Sequence, residues 1–359
     1  MMLKIKSILL LLLAAASFFI SNAQSACTDS LLQFVLQHKA HAAVYITKND
    51  SVIAALHPDV LMPLGSTAHL LTAIEFAKQA GNAVISEEQY VPIKETDKYY
   101  IEGTDNNAHN QWKAAAHGLI KNDSIQLYQI AKGMLQHHSA ANAEYLLDLL
   151  GLDNVKTNIT LFNLKRHTAV FPLPASLFLY QNPNRAKESK IIKSIQSLTE
   201  EGYCKSIYQI HNALKYDTVL KHKFLPAAFT PSMQQLWTER LTASTAREYV
   251  HVVRILNTRK FLNANSYGIL AEIAEDDMSN ASIKKKYAHL AAVNGNNPGI
   301  YTEVFYATLL NGDRIEAAFF FNQLSEKENE RLQRWVPAVS MELEQQTVRT
   351  KINSLLNEK

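Results

Sequence analysis

Two cysteines in 359 residues, Cys27 and Cys204, are too few for a disulfide-stapled scaffold, and no H-E-x-x-H run or Cys/His cluster marks a metal site. The pair either bridges in an oxidising compartment or stands as two separate thiols. Charge of one sign is also scarce: 36 Lys and Arg face 33 Asp and Glu, and without a strongly basic balance no nucleic-acid partner is expected. Glycine (11) and proline (10) are few, 47% of residues are hydrophobic and 19% charged, which excludes a disordered chain and leaves a folded globular one. No repeat or low-complexity tract is present. After residue 20 no apolar run is long enough to span a bilayer, so no transmembrane anchor is expected.

What the chain does have at its start is an export signal. Lys4 and Lys6 precede the apolar run "SILLLLLAAASFFI" (7–20), and "SNAQ" follows with small residues at Ser21 and Ala23. Cleavage is expected after Ala23, giving a signal peptide over 1–23 and a periplasmic or secreted mature protein over 24–359. Loss of Lys4 and Lys6 lowers the formal net charge from +3 to +1. Lipidation at Cys27 is the lesser alternative, because "QSAC" lacks the aliphatic residue expected three positions before a lipidated cysteine.

Hydrophobic pattern divides the mature chain. "HAAVYITKNDSVIAALH" (41–57) alternates around the turn-prone "KNDS" and predicts a β-hairpin. Asn311-Gly312 predicts a second hairpin within 299–322. Between them about 200 residues read mainly as helix and loop. The simplest arrangement joins both β portions in one antiparallel sheet, an α/β lobe of about 30–85 and 280–359, with a helical lobe over about 86–279. The C-terminal segment reads as helix interrupted at Pro337. Within "VLMPLGSTAHLL" (60–71), Ser66 opens a helix whose stripe is Leu70, Ala73, Ile74 and Ala77, and which is expected to end at Gly81 as its C′ residue. His69 follows Ser66 by three residues on the same face. Ser66 is then either a nucleophile with a base one turn away or the N-cap of an ordinary helix.

The order "PLGSTAHLLTAIEFA", "GMLQHHSAANAEYLLDLLGLDNV" and "AHLAAVNGNNPGIYTEVFYATLLNGDRIEAAFFFN" resembles the class A β-lactamase and penicillin-binding serine hydrolase superfamily, in particular its secreted Bacteroidetes-type serine hydrolases. The likeness runs from about residue 30 to 345. It implies an α+β fold, an antiparallel sheet flanked by helices plus an all-helical lobe, and a site between them that performs acyl transfer through a serine on a β-lactam, cell-wall peptide or ester. No cofactor is implied. Mapped residue by residue, S-x-x-K falls on Ser66 with His69 in place of the lysine, and S-D-N falls on His138, Ser139 and Ala140. K-T-G falls on Val293, Asn294 and Gly295, while "FPLPASLFLY" lacks the family's E-x-x-L-N element.

The resemblance therefore implies catalytic roles for Ser66, His69 and His138 and substrate-binding roles for Ser139, Asn294, Gly295 and Asn296. The missing lysines at 69 and 293, and the missing asparagine at 140, argue against efficient β-lactam hydrolysis. The competing expectation is a catalytically silent protein that binds a small molecule, a cell-wall fragment or a protein partner. "DKYYIEGTDNNAHNQW" (97–112) offers Tyr99, Tyr100, Asp105, His109 and Trp112 either as cleft lining or as a packed loop. The segment 184–205 reads as a solvated helix, and Phe319 to Phe321 as sheet core.

Overall fold

The computed structural model describes residues 26–181 and 186–357, so the export segment and residues 184 and 185 lie outside the described residues. Its strands are β1 (Ala42–Lys48), β2 (Ser51–Leu56), β3 (Met62–Pro63), β4 (Tyr90–Pro92), β5 (Ser124–Gln126), β6 (Ala243–Ser244), β7 (Tyr287–Asn297), β8 (Ile300–Leu309) and β9 (Arg314–Phe321). Five of them form one antiparallel sheet in the order β2-β1-β9-β8-β7, while β3 pairs with β6 and β4 with β5 as short ribbons. Both expected hairpins form. Asn49 and Asp50 turn β1 into β2 with positive φ, as Gly312 helps turn β8 into β9.

Helices cover both faces of the sheet, which explains why β9 is apolar at successive positions. Alternate residues serve opposite cores. Val44, Ile46, Phe319 and Phe321 pack with Leu332, Val336 and Val339 of the Glu326–Glu342 helix and with the helix over 26–37. Ala43, Tyr45, Ala318 and Phe320 face the His69–Gly81 helix and the Ala246–Asn257 helix, whose Tyr249 and Val253 are buried. A third cluster, around Tyr180, Tyr203, Ile207 and Trp237, belongs to the helical lobe.

Several local expectations are corrected. Gly81 is the last helical residue and not a left-handed C′ position: a Cβ there would stand 2.5 Å from Ser266 N and 2.6 Å from its Cα, so glycine is needed for the crossing of two helices. Pro337 does not interrupt its helix, which runs unbroken from Glu326 to Glu342. Burial of Leu332, Val336, Val339 and Leu343 against the sheet outweighs the one lost backbone bond. The described part of 184–205 holds two helices, Glu188–Gln196 and the start of Glu200–Leu214, because Thr199 caps the second by accepting the Gly202 N–H at 3.1 Å. That second helix buries Tyr203, Ile207, His211 and Leu214, so it is not a solvated element. Cys27 and Cys204 are both free thiols. No helix among the described residues is long and apolar enough to cross a membrane.

Candidate active-site cleft

Ser66 sits in a 3-10 turn, Gly65–Ala68, that leads directly into the His69–Gly81 helix. The turn is fastened to the sheet from below. Thr302 Oγ1 on β8 donates to the Leu64 carbonyl at 2.7 Å and lies 2.8 Å from Thr67 Oγ1. Gly65 adopts φ +51°, and a Cβ there would stand 2.2 Å from Asn297 Oδ1. Gly295 completes the seat, since any side chain on it would meet the Leu64 carbonyl and the Thr67 amide. Thr67 N–H, bonded to the Leu64 carbonyl at 3.1 Å, is the first to close the turn, which leaves the Ser66 N–H at its open end.

Ser66 is not a helix cap: neither the 3-10 turn nor the α-helix after it has a side-chain cap bond. It lies on the wall of a cavity of about 410 Å³. Around the cavity stand the loop through Asp105, the corner His137–Ala140, the segment carrying Leu173 and Leu177, the stretch with Phe224 and Phe229, and Asn296 to Pro298 at the tip of the β7–β8 hairpin. His69 and His138 are therefore brought to Ser66 as the alignment implies. Neither hydrogen-bonds to it, and each keeps a buried Nδ1 with no partner among the described residues. Burial, reinforced by the neighbouring His138 ring, pushes the His69 pKa down to about 4. Burial and the adjacent His137 also lower that of His138. Both rings are thus uncharged at neutral pH, and His69 is a weak base.

Ser139 is corrected from its expected substrate-binding role. It is fully buried, does not line the cleft, and is the N-cap of the Ala140–Leu150 helix, accepting the Asn142 N–H at 3.2 Å. Its hydroxyl lies 2.9 Å from His109 Nδ1, whose Nε2 lies 2.9 Å from Asp97 Oδ1, with Lys113 on the same carboxylate oxygen at 2.9 Å. His109 thus bridges Ser139 and Asp97 through its two ring nitrogens. This serine–histidine–aspartate chain fixes the corner on which His138 stands at φ +56°. Asn294 and Gly295 also fall off the wall. Gly295 is consumed in contact with the turn, and Asn294 pairs with Glu303 two residues back from Asn296, short of the hairpin tip where the cleft opens.

Of the five loop residues named between 97 and 112, only Asp105 lines the cleft. Tyr99 donates to Asp148 at 2.8 Å, Tyr100 stacks on buried His109, and Trp112 donates to the Gln129 carbonyl at 3.2 Å. Sequence reasoning missed Asn106, Gln111, Asn297, Phe224 and Phe229. Only Asn297, beside the K-T-G equivalent, carried a signal that spacing offers. A second cavity, about 460 Å³, is lined by Pro63, Gln234, Thr238, Glu239, Asn322 and Leu324 and holds none of the expected residues. Among the described residues no group of three His, Cys, Asp or Glu is placed to hold a metal ion.

No family model and no curated protein matches the sequence. Solved structures do match it in three dimensions. The extended-spectrum β-lactamase TLA-3 superposes with a TM-score of 0.54 at 13% identity, over 90% of this chain and 100% of its own. A class A β-lactamase from Mycobacterium abscessus gives 0.52 at 10% identity over 89% and 100%, and PBP-A gives 0.51 at 13% over 89% and 96%. With its five-stranded antiparallel sheet and the helical lobe set against it, this chain has the β-lactamase/transpeptidase-like fold that class A β-lactamases and PBP-A share.

Proposed function

We propose that this protein is an exported, catalytically silent member of its fold class that binds a small molecule or cell-wall fragment in the Ser66 cleft without hydrolysing β-lactams. The observation that carries this reading is the state of Ser66: it lines the cleft, yet no base among the described residues hydrogen-bonds to its hydroxyl. A serine hydroxyl without a base is a poor nucleophile at neutral pH. His69, which opens the helix after the Ser66 turn, has a pKa near 4 and so little capacity to take a proton. No lysine or arginine lines the described wall to meet the carboxylate of a penicillin. Export rests on Lys4, Lys6 and the apolar run that ends before Ala23.

A second reading, slow acyl transfer through Ser66 with His69 or His138 as base, draws on one observation: Ser66 lines the cleft and is not spent as a helix cap. Intact mass of the mature protein and of Ser66→Ala, after incubation with a penicillin and separately with a fluorophosphonate ester, separates the two. The silent reading expects no adduct on either protein. A single adduct on the wild type that vanishes in the variant overturns it in favour of acyl transfer.

A further inference from the structure

The sign of charge in the cleft narrows what it binds. Among the described wall residues Asp105 is the only carboxylate, and no lysine or arginine stands with it. Asp105 precedes the Ala108–Ala115 helix and lies beside the start of the Ala140–Leu150 helix. Its Oδ2 accepts the His109 N–H at 3.1 Å, and the Ala140 and Ala108 amides also stabilise its charge. Burial pulls the other way and raises its pKa. Its Oδ1 is buried without a partner among the described residues. The same wall carries the apolar side chains of Leu173, Leu177, Phe224 and Phe229.

We infer that the cleft takes an amphiphilic cation, a ligand whose ammonium-type head is drawn to Asp105 and whose apolar body lies against Leu173, Leu177, Phe224 and Phe229. This deepens the binding reading above and rests on it. The buried rings of His69 and His138 are uncharged at neutral pH and add no positive field of their own, and His137 is the third histidine on the wall. A carboxylate ligand would enter a low-dielectric pocket beside a like charge, and that is unfavourable whatever its other contacts.

The test is a binding titration of the mature protein with benzylammonium, benzyl alcohol and benzoate at neutral pH and low salt, three probes that share a ring and differ in head group. Benzylammonium is expected to bind about tenfold or more tighter than benzoate, with the alcohol between, a margin consistent with one partly screened charge pair. In Asp105→Asn, which keeps an acceptor for the backbone amides, the ammonium should fall to the level of the alcohol. Equal or tighter binding of benzoate, an ammonium preference that survives Asp105→Asn, or no binding of any probe overturns the inference. The wild-type series decides by itself if the variant does not fold. A penicillin adduct on Ser66 with the ammonium preference intact would overturn the silent reading alone. Loss of the preference with no adduct would overturn the charge inference alone.

Discussion

Gly295 and Leu64 touch backbone to backbone: a Cβ built on Gly295 would lie 2.5 Å from the Leu64 carbonyl oxygen. The same atom would lie 2.8 Å from the Thr67 amide and 2.7 Å from Thr302 Oγ1, so β7 and the Ser66 turn are pressed together with only a hydrogen between them. Because two of the three obstacles are held by the backbone, Gly295→Ala forces the strand and turn apart. We expect a loss of about 1–3 kcal/mol in denaturant unfolding, the usual range for overpacking. The control is Gly268→Ala, within the Ala264–Ala274 helix with nothing inside 4 Å of its Cβ, which should gain about 0.5–1 kcal/mol from helix propensity. Equal effects at the two positions would refute the contact.

Acid should destabilise the protein through histidines that are buried uncharged. His69 and His289 each have a folded-state pKa of about 4 against an ordinary value of 6.5, both chiefly through burial. Between those values the unfolded chain binds more protons than the native one, so stability rises with pH across that window and is lost as pH falls from 6.5 towards 4. His69→Gln should flatten this dependence, measured as unfolding midpoints from about pH 4 to 7. A variant whose slope matches the wild type would show that His69 is not buried in its uncharged form.

His211 should act with the opposite sign. It is buried, lies 2.9 Å from Glu144 Oε2 and 3.0 Å from Asp148 Oδ1, and burial, which alone would lower its pKa, is outweighed by the two carboxylates, which raise it to about 9. Asp148 moves correspondingly down to about 2. The stabilisation is complete below 6.5 and is lost as pH rises through about 9. His211→Ala leaves Glu144 buried without its cation and should cost about 3–5 kcal/mol. An alkaline melting profile unchanged by the substitution would contradict the ion pair.

Ser139→Ala removes a helix cap and the partner of His109 Nδ1, and about 1–2 kcal/mol of stability should go with it. Since the hydroxyl does not reach the cleft, probe affinity in the folded variant should remain that of the wild type. Altered affinity without altered stability would return Ser139 to the binding surface.

The sequence made the sheet legible because its two cues, Asn49-Asp50 and Asn311-Gly312, are local turn chemistry that burial on both faces does not disturb. It made Ser66, His69 and His138 legible as neighbours because motif order is preserved where the fold is. What it could not give was direction. Ser139 and His138 are adjacent in sequence, and only the left-handed backbone at His138 decides that one faces the cleft and the other the interior. Gly81 and Pro337 depart from expectation for a related reason: both are positions where packing against a distant element, Ser266 in one case and the sheet in the other, overrides a local rule. Phe224 and Phe229 carry no periodic or spacing signal at all.

The pairing of β1 with β9, from Ala42 opposite Phe321 to Lys48 opposite Ile315, sets the timetable of assembly. On a ribosome the first hairpin emerges some 260 residues before the strand that covers its open edge. Until then the Val44 and Ile46 backbone has no neighbour on that side, and a bare apolar strand edge is a template for pairing with other chains. Contacts that span nearly the whole polypeptide also make for slow closure. The β1–β9 seam can therefore close only once Arg314–Phe321 is available, and a chain truncated before Arg314 should accumulate as aggregate rather than as a smaller folded body.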